Sequence, residues 1–66
     1  MVLPNHTRVL RMRELTKLTG LARSRIYQMQ AEGQFPRSIK LGARSVGWIE
    51  LEVLSWIEQR MAARDG

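Results

Sequence analysis

The sequence predicts a mainly α-helical fold with a small β-hairpin, in the order helix, turn, helix, hairpin, helix. Three observations predict this order. Apolar residues recur at helical spacing in three segments, and a glycine stands where each of the first two segments ends. Between the second and third segments the spacing of apolar residues changes to two, which is typical of strands.

The first predicted helix spans about residues 13–19. Met12, Leu15 and Leu18 recur every three residues and form one apolar stripe. Gly20 follows, and glycine suits the left-handed backbone that commonly ends a helix. The chain before this helix is expected to be a flexible tail over residues 1–7 and a short extended piece, so that one domain covers residues 8–66.

The second predicted helix spans about residues 22–32. Ala22, Ile26 and Met29 are spaced to form its buried stripe. Gly33 ends this helix, and the proline that soon follows has no amide hydrogen and prevents the helix from resuming. Two short helices joined by a tight glycine-containing turn are typical of the helix-turn-helix motif.

The hairpin and the last helix complete the pattern. Ile39 and Leu41 alternate with polar residues, residues 42–45 form a turn, and Val46 and Trp48 share one face of the returning strand. A winged helix-turn-helix fold is therefore expected.

The third predicted helix spans about residues 50–63. Val53, Ile57 and Met61 lie at steps of four and form its apolar stripe. Two glutamates stand in its first turn, where the helix dipole favours negative charge.

The distribution of charge favours a polyanionic partner. The formal net charge is +5 in 66 residues. Residues 8–44 contain nine lysines and arginines against two glutamates, whereas residues 50–65 contain four acids and two arginines. A basic balance in so small a domain indicates nucleic acid, with a merely solvated surface as the alternative.

The exposed face of the second helix is the predicted reading surface. Opposite its apolar stripe, or flanking that face, lie Arg23, Ser24, Arg25, Tyr27 and Gln28. Arginines can grip phosphate or guanine, Tyr27 can bind a phosphate, and Gln28 can pair bidentately with adenine. An ordinary solvated helix face is the alternative.

The hairpin contributes Arg37, Lys40 and Arg44. A basic wing of this kind lies against phosphates or in the neighbouring minor groove, although solvated loop charges are the simpler alternative. Trp48 and Trp56 could in principle stack on single-stranded bases. Both adjoin apolar residues, and we expect them to belong to the core.

Residue types needed for catalysis or metal binding are scarce. There is no cysteine and one histidine, His6, and no glycine-rich phosphate loop is present. We therefore expect no enzyme activity, no cofactor, no metal and no small-molecule ligand. No signal peptide or membrane span is recognisable, which predicts a cytoplasmic protein.

Several motifs together resemble the AlpA family of prophage regulatory proteins. They are TGLARSRIY (19–27), EGQFPR (32–37), IKLG (39–42), VGW (46–48), EV (52–53) and WI (56–57). The family is similar in fold to MerR-type winged domains and phage excisionases. The resemblance implies that residues 23–25, 27 and 28 read the major groove, and that Lys40 and Arg44 belong to the wing.

The chain departs from the family pattern at three positions. Ala22 stands where the family usually has serine or threonine to cap the second helix, so Thr19 or Ser24 is expected to compensate. Leu51 and Leu54 stand where polar residues are commoner. They either contact a neighbouring copy on DNA or pack against Trp48 or the N-terminal strand of the same chain.

These observations predict a sequence-specific regulator that binds double-stranded DNA of a prophage or integrated element and controls integrase expression or excision. Further copies of the chain on adjacent sites are an additional expected partner. A purely architectural, DNA-bending excisionase is one alternative. A protein-interaction adaptor with an acidic partner is another, and RNA binding is disfavoured because no RNA-binding signature is present.

Overall fold

The structure, a computed structural model, describes residues 8–64. Its elements are strand β1 (Val9–Leu10), helix α1 (Met12–Thr19), helix α2 (Arg23–Ala31), strand β2 (Ile39–Gly42), strand β3 (Ser45–Ile49) and helix α3 (Glu50–Ala63). The predicted fold class, mainly α-helical with a small hairpin wing, is therefore confirmed. The tail expected over residues 1–7 lies outside the described residues.

Helix α1 is fixed at both ends by the backbone. The Glu14 carboxylate accepts a hydrogen bond of 3.0 Å from the backbone N–H of Arg11, the N-cap residue. At the other end Gly20 adopts the predicted left-handed conformation, with φ of 73°, and its N–H donates to the Thr16 carbonyl at 2.9 Å. Such bonds occupy groups that would otherwise be left without a partner at a helix end.

Helix α2 ends in a glycine-containing cap. Gly33 has a φ of 72°, and its N–H donates to the Gln30 carbonyl at 3.0 Å, while the N–H of Gln34 reaches back to the Met29 carbonyl at 2.8 Å. This pair of bonds is the Schellman motif, which requires a left-handed residue at the position of Gly33. The predicted role of that glycine is confirmed.

The start of α2 differs from the prediction. Ala22 is the exposed N-cap residue and no part of the buried stripe, which consists of Ile26 and Met29. Its methyl group cannot cap the helix, and no side chain takes over that role. The Thr19 hydroxyl instead accepts the N–H of Leu21 at 3.2 Å and donates to the Leu15 carbonyl at 2.8 Å. Thr19 therefore stabilises the turn and leaves α2 uncapped.

Strand β3 lies at the centre of a three-stranded antiparallel sheet, with β1 on one side and β2 on the other. Leu10 pairs with Trp48, and these two side chains face the core. Ile39 pairs with Gly47 on the opposite face. A bulge between Lys40 and Gly42 shifts the register of β2. Leu41, two residues after Ile39, lies over Gly47 on that outer face and is 45% exposed.

The core consists of one residue or two from nearly every element. Its buried members are Leu10, Leu15, Ile26, Met29, Phe35, Trp48 and Val53. Ile57 packs against this cluster, as its position in the predicted stripe of α3 requires. Met61 is 52% exposed and does not pack against the core, since it lines an open groove between the end of α1 and the last turns of α3. Leu18 is likewise exposed at the end of α1.

Both tryptophans pack within the chain, as predicted. Trp48 is fully buried, and its indole nitrogen has no hydrogen-bond partner among residues 8–64. Trp56 lies edge-on to Phe35, with ring centroids 4.8 Å apart, and its indole N–H donates to the Gln34 carbonyl at 2.9 Å. These contacts fasten the segment after α2 to helix α3.

The two leucines at unusual positions of α3 are exposed. Leu51 is 52% and Leu54 38% accessible to solvent. Of the two expectations for these residues, packing into the core of the same chain is wrong. Leu51 and Leu54 therefore form an exposed apolar pair on α3, and Glu50 and Glu52 stand beside them in its first turn.

Candidate nucleic-acid interface

The outward face of α2 is held in place by two buried side chains. Ile26 and Met29 anchor the helix in the core. As a result, every residue predicted to read DNA from this helix is exposed: Arg23, Ser24, Arg25, Tyr27 and Gln28. The helix itself contains no acidic residue. Its outer surface is therefore a rigid array of hydrogen-bonding groups with two cations.

Two residues of this face are bonded to each other. The Arg25 guanidinium donates through Nη1 to Oε1 of Gln28 at 3.1 Å. They stand three positions apart, which brings side chains together on the surface of a helix. The spacing was visible in the sequence, but the bond was not predicted.

The wing presents its cations at two places. Arg44 lies in the two-residue turn, residues 43–44, between β2 and β3, and it is exposed. Lys40 is exposed on β2, opposite Val46 and next to the bulge. Both positions agree with the expected basic wing.

Arg37 is placed apart from the wing. It is exposed and lines an open groove between residues 33–37 and helix α3, together with Glu52 and Arg60. The structure thus divides the eight predicted residues into a set of five on α2, two on the hairpin, and Arg37 beside α3.

Ion pairing removes one cation from the candidate surface. Among residues 8–64 only Arg8 forms salt bridges, to Glu14 and to Glu50, each at 3.4 Å. The backbone N–H of Glu50 also donates to the Arg8 carbonyl at 2.8 Å. Arg8 therefore connects β1 to the first turns of α1 and α3. From the sequence alone Arg8 belongs with the other cations of residues 8–44, because its pairing with Glu50, far along the chain, leaves no local signal.

The remaining cations between α1 and the wing form no ion pair within residues 8–64. They are Arg11, Arg13, Lys17, Arg23, Arg25, Arg37, Lys40 and Arg44. Arg60, in α3, lies over the Trp56 ring at 4.8 Å. A positive field without internal neutralisation attracts a polyanion over distances of about 10 Å at moderate salt.

The rest of the described chain offers little other chemistry. Between residues 8 and 64 no group of three metal-ligating side chains comes together. Across the same residues, none of the helices combines the length and apolar character needed to cross a membrane.

Comparison with known proteins gives a consistent result. The family model described as Prophage CP4-57 regulatory protein (AlpA) matches residues 8–61. The chain is 42% identical over 66 residues to the uncharacterized protein ORF88 of Enterobacteria phage P4, covering 97% of this chain and 75% of that one. It is 39% identical over 59 residues to the DNA-binding transcriptional activator AlpA of Escherichia coli K12, covering 80% and 84% respectively. The chain belongs to the AlpA family of prophage regulatory proteins.

Proposed function

We propose that the chain is a sequence-specific regulator that binds double-stranded DNA of a prophage or another integrated element. It acts in the cytoplasm and controls integrase expression or excision. The observation that carries this proposal is the outer face of α2, where exposed hydrogen-bonding side chains and two arginines stand on a helix free of acids. The name of the Escherichia coli relative, a DNA-binding transcriptional activator, supports the same function.

Helix α2 enters the major groove in this proposal. Arg23 and Arg25 flank the face that Ser24 and Gln28 present, so the polar residues reach base edges while arginines bind guanine or phosphate. Tyr27 is 45% exposed, which leaves its hydroxyl free to bind the backbone. Contacts to the bases provide sequence specificity, and contacts to the phosphates fix the position of the protein on the duplex.

The wing provides affinity rather than specificity. Arg44 at its tip and Lys40 on its first strand contact phosphates or the adjacent minor groove. Arg37 supplies a further phosphate contact from the segment after α2. Contacts to phosphate are electrostatic and contribute about equally on every DNA sequence.

Copies of the chain bind side by side on tandem sites. A single helix and wing cover few base pairs, since single modules bury roughly 600–1,000 Å² on DNA. The exposed pair Leu51 and Leu54 supplies a small apolar contact between neighbours. It is too small to hold a dimer in free solution.

The test is a mobility shift on the DNA that flanks the integrase gene of the same element. The proposal predicts a discrete complex on this DNA that survives an excess of scrambled duplex. It also predicts that deletion of the gene for the present chain alters transcription of the integrase gene. Equal binding to both duplexes would favour an architectural excisionase. Capture of an acidic protein without any DNA complex would favour an adaptor instead.

A further inference from the structure

The bonded pair of Arg25 and Gln28 limits what α2 can read. An arginine side chain has N–H donors and no acceptor. The part of the Gln28 amide that meets it must therefore be the oxygen, as the bond of 3.1 Å to Oε1 shows. The amide is thereby oriented, and its NH₂ group remains free to bind a partner outside the chain.

The pair consequently offers almost only donors. Arg25 retains the guanidinium N–H groups that it does not use on Gln28, and Gln28 retains both amide N–H groups. The Gln28 oxygen keeps one lone pair, but a cationic guanidinium lies beside it. That charge repels the positive end of any N–H group that approaches the oxygen.

No carboxylate competes for this pair within residues 8–64. Glu14 is engaged by Arg8 and by the backbone N–H of Arg11, and Glu32 forms no salt bridge among the described residues. Arg25 and Gln28 are both exposed on the outer face of α2. The donors of the pair are thus available to DNA.

Base edges in the major groove differ in the hydrogen-bond donors and acceptors that they present. Guanine presents two adjacent acceptors, N7 and O6, whereas adenine presents one acceptor beside an amino donor. A bidentate contact from glutamine to adenine needs the amide oxygen as an acceptor. The Arg25 bond disfavours that contact, so the adenine expected for Gln28 from the sequence does not suit the arrangement in the structure.

We propose that Arg25 and Gln28 act as one base-reading unit that selects guanine in the major groove. The proposal rests on the proposed function and adds to it the identity of the base. Arg25 supplies the charge-assisted donor, and Gln28 holds the guanidinium in position while donating to the same or the neighbouring acceptor-rich edge.

The test is selection of bound duplexes from a random-sequence pool with the purified full chain and three variants. The wild-type chain should select guanine at one position, by about 5- to 150-fold over the other bases, which is the discrimination of a good bidentate contact. Arg25→Ala and Gln28→Ala should each abolish the preference at that same position. Arg23→Ala is the matched control, because it removes an exposed arginine outside the pair and should weaken binding without changing the preference for guanine at that position.

A second arm uses 7-deazaguanine, which replaces the N7 acceptor by C–H. Placed at the selected position, it should weaken the wild-type chain several-fold and leave the Arg25→Ala variant unaffected. Selection of adenine there, or loss of preference at two different positions in the two variants, would overturn this inference and leave the proposed function intact. Failure of the wild-type chain to bind any duplex would overturn both.

Discussion

Gly47 shows how a single residue fixes the sheet. A Cβ added at this position would lie 2.5 Å from Val9 Cγ1, 3.0 Å from Leu41 Cδ1 and 3.2 Å from the Leu10 carbonyl oxygen. Val9 is β-branched and has few rotamers to escape into, and the carbonyl belongs to the backbone. Only glycine therefore lets β1 approach β3 in the observed register.

We expect Gly47→Ala to lower the free energy of unfolding by about 1–3 kcal/mol through overpacking. Gly42→Ala is the control, since its Cβ would meet nothing closer than Ser45 Cβ at 4.0 Å. Urea titration of both variants measures the difference. Equal midpoints for the two would show that β1 can move away from β3 at little cost.

Among the elements, the glycine-terminated C-terminal ends of α1 and α2 are the most predictable features. Gly20 adopts the left-handed conformation expected of it, and Gly33, which the sequence predicts only to end α2, adopts the same conformation, because few other residues tolerate that backbone. Apolar spacing also located α3, whose bounds agree with the prediction. These signals are local in sequence, and each has one dominant physical cause.

Sequence spacing fails where burial depends on what else is nearby. Met61 has the spacing of a core residue, yet it lines an open groove between the end of α1 and the last turns of α3 and stays half exposed. Leu41 alternates with Ile39 as predicted, yet the face that these two residues share is the outer face of the sheet, because Ile39 pairs with Gly47 and not with a core-facing residue. The Arg25–Gln28 bond and the Arg8 bridges depend on rotamers and on long-range contacts, so a one-dimensional pattern could not reveal them.

The uncapped start of α2 can be tested by supplying the missing cap. Ala22 already has the extended conformation of an N-cap, with φ of −71° and ψ of 154°. Ala22→Ser supplies an oxygen to a free N–H of the first turn and should stabilise the protein by about 0.5–2 kcal/mol. The gain in stability is measured by thermal unfolding monitored with circular dichroism.

Ala31→Ser is the control for this substitution. It makes the same chemical change at the exposed last residue of α2, where serine is a poorer helix former than alanine. We expect a slight loss of stability there. A loss in both variants would mean that the backbone around Ala22 cannot direct a side chain to the amides of α2.

Charge is distributed unevenly over the molecule. Most of the described cations that form no ion pair lie between Arg11 and Arg44, whereas α3 begins with two glutamates and has an exposed apolar pair. In the proposed function, this distribution would direct α2 and the wing toward phosphate and leave α3 available to a neighbouring copy.

Substitution of Leu51 and Leu54 together by glutamine tests this contact. Both are exposed, so the variant should remain folded and bind a single site as before, but lose cooperativity on tandem sites. Titration of duplexes that contain one or two sites measures the effect.

Val53→Ala is the control, because Val53 lies between the two leucines in sequence but is fully buried. This variant should lose stability and keep cooperativity. If the leucine variant binds tandem sites as cooperatively as the wild-type chain, the contact between neighbours lies elsewhere.

The salt dependence of DNA binding shows whether the unpaired cations between Arg11 and Arg44 bind phosphate. About 4–6 phosphate contacts predict a log–log slope of affinity against salt of about −4 to −5 for the wild-type chain. Arg44→Ala should flatten the slope by about one unit, whereas Arg8→Ala should leave it unchanged, because Arg8 pairs with Glu14 and Glu50. Fluorescence anisotropy on a labelled duplex at several salt concentrations measures all three slopes. A wild-type affinity that barely changes between low and moderate salt would show that these cations do not bind phosphate.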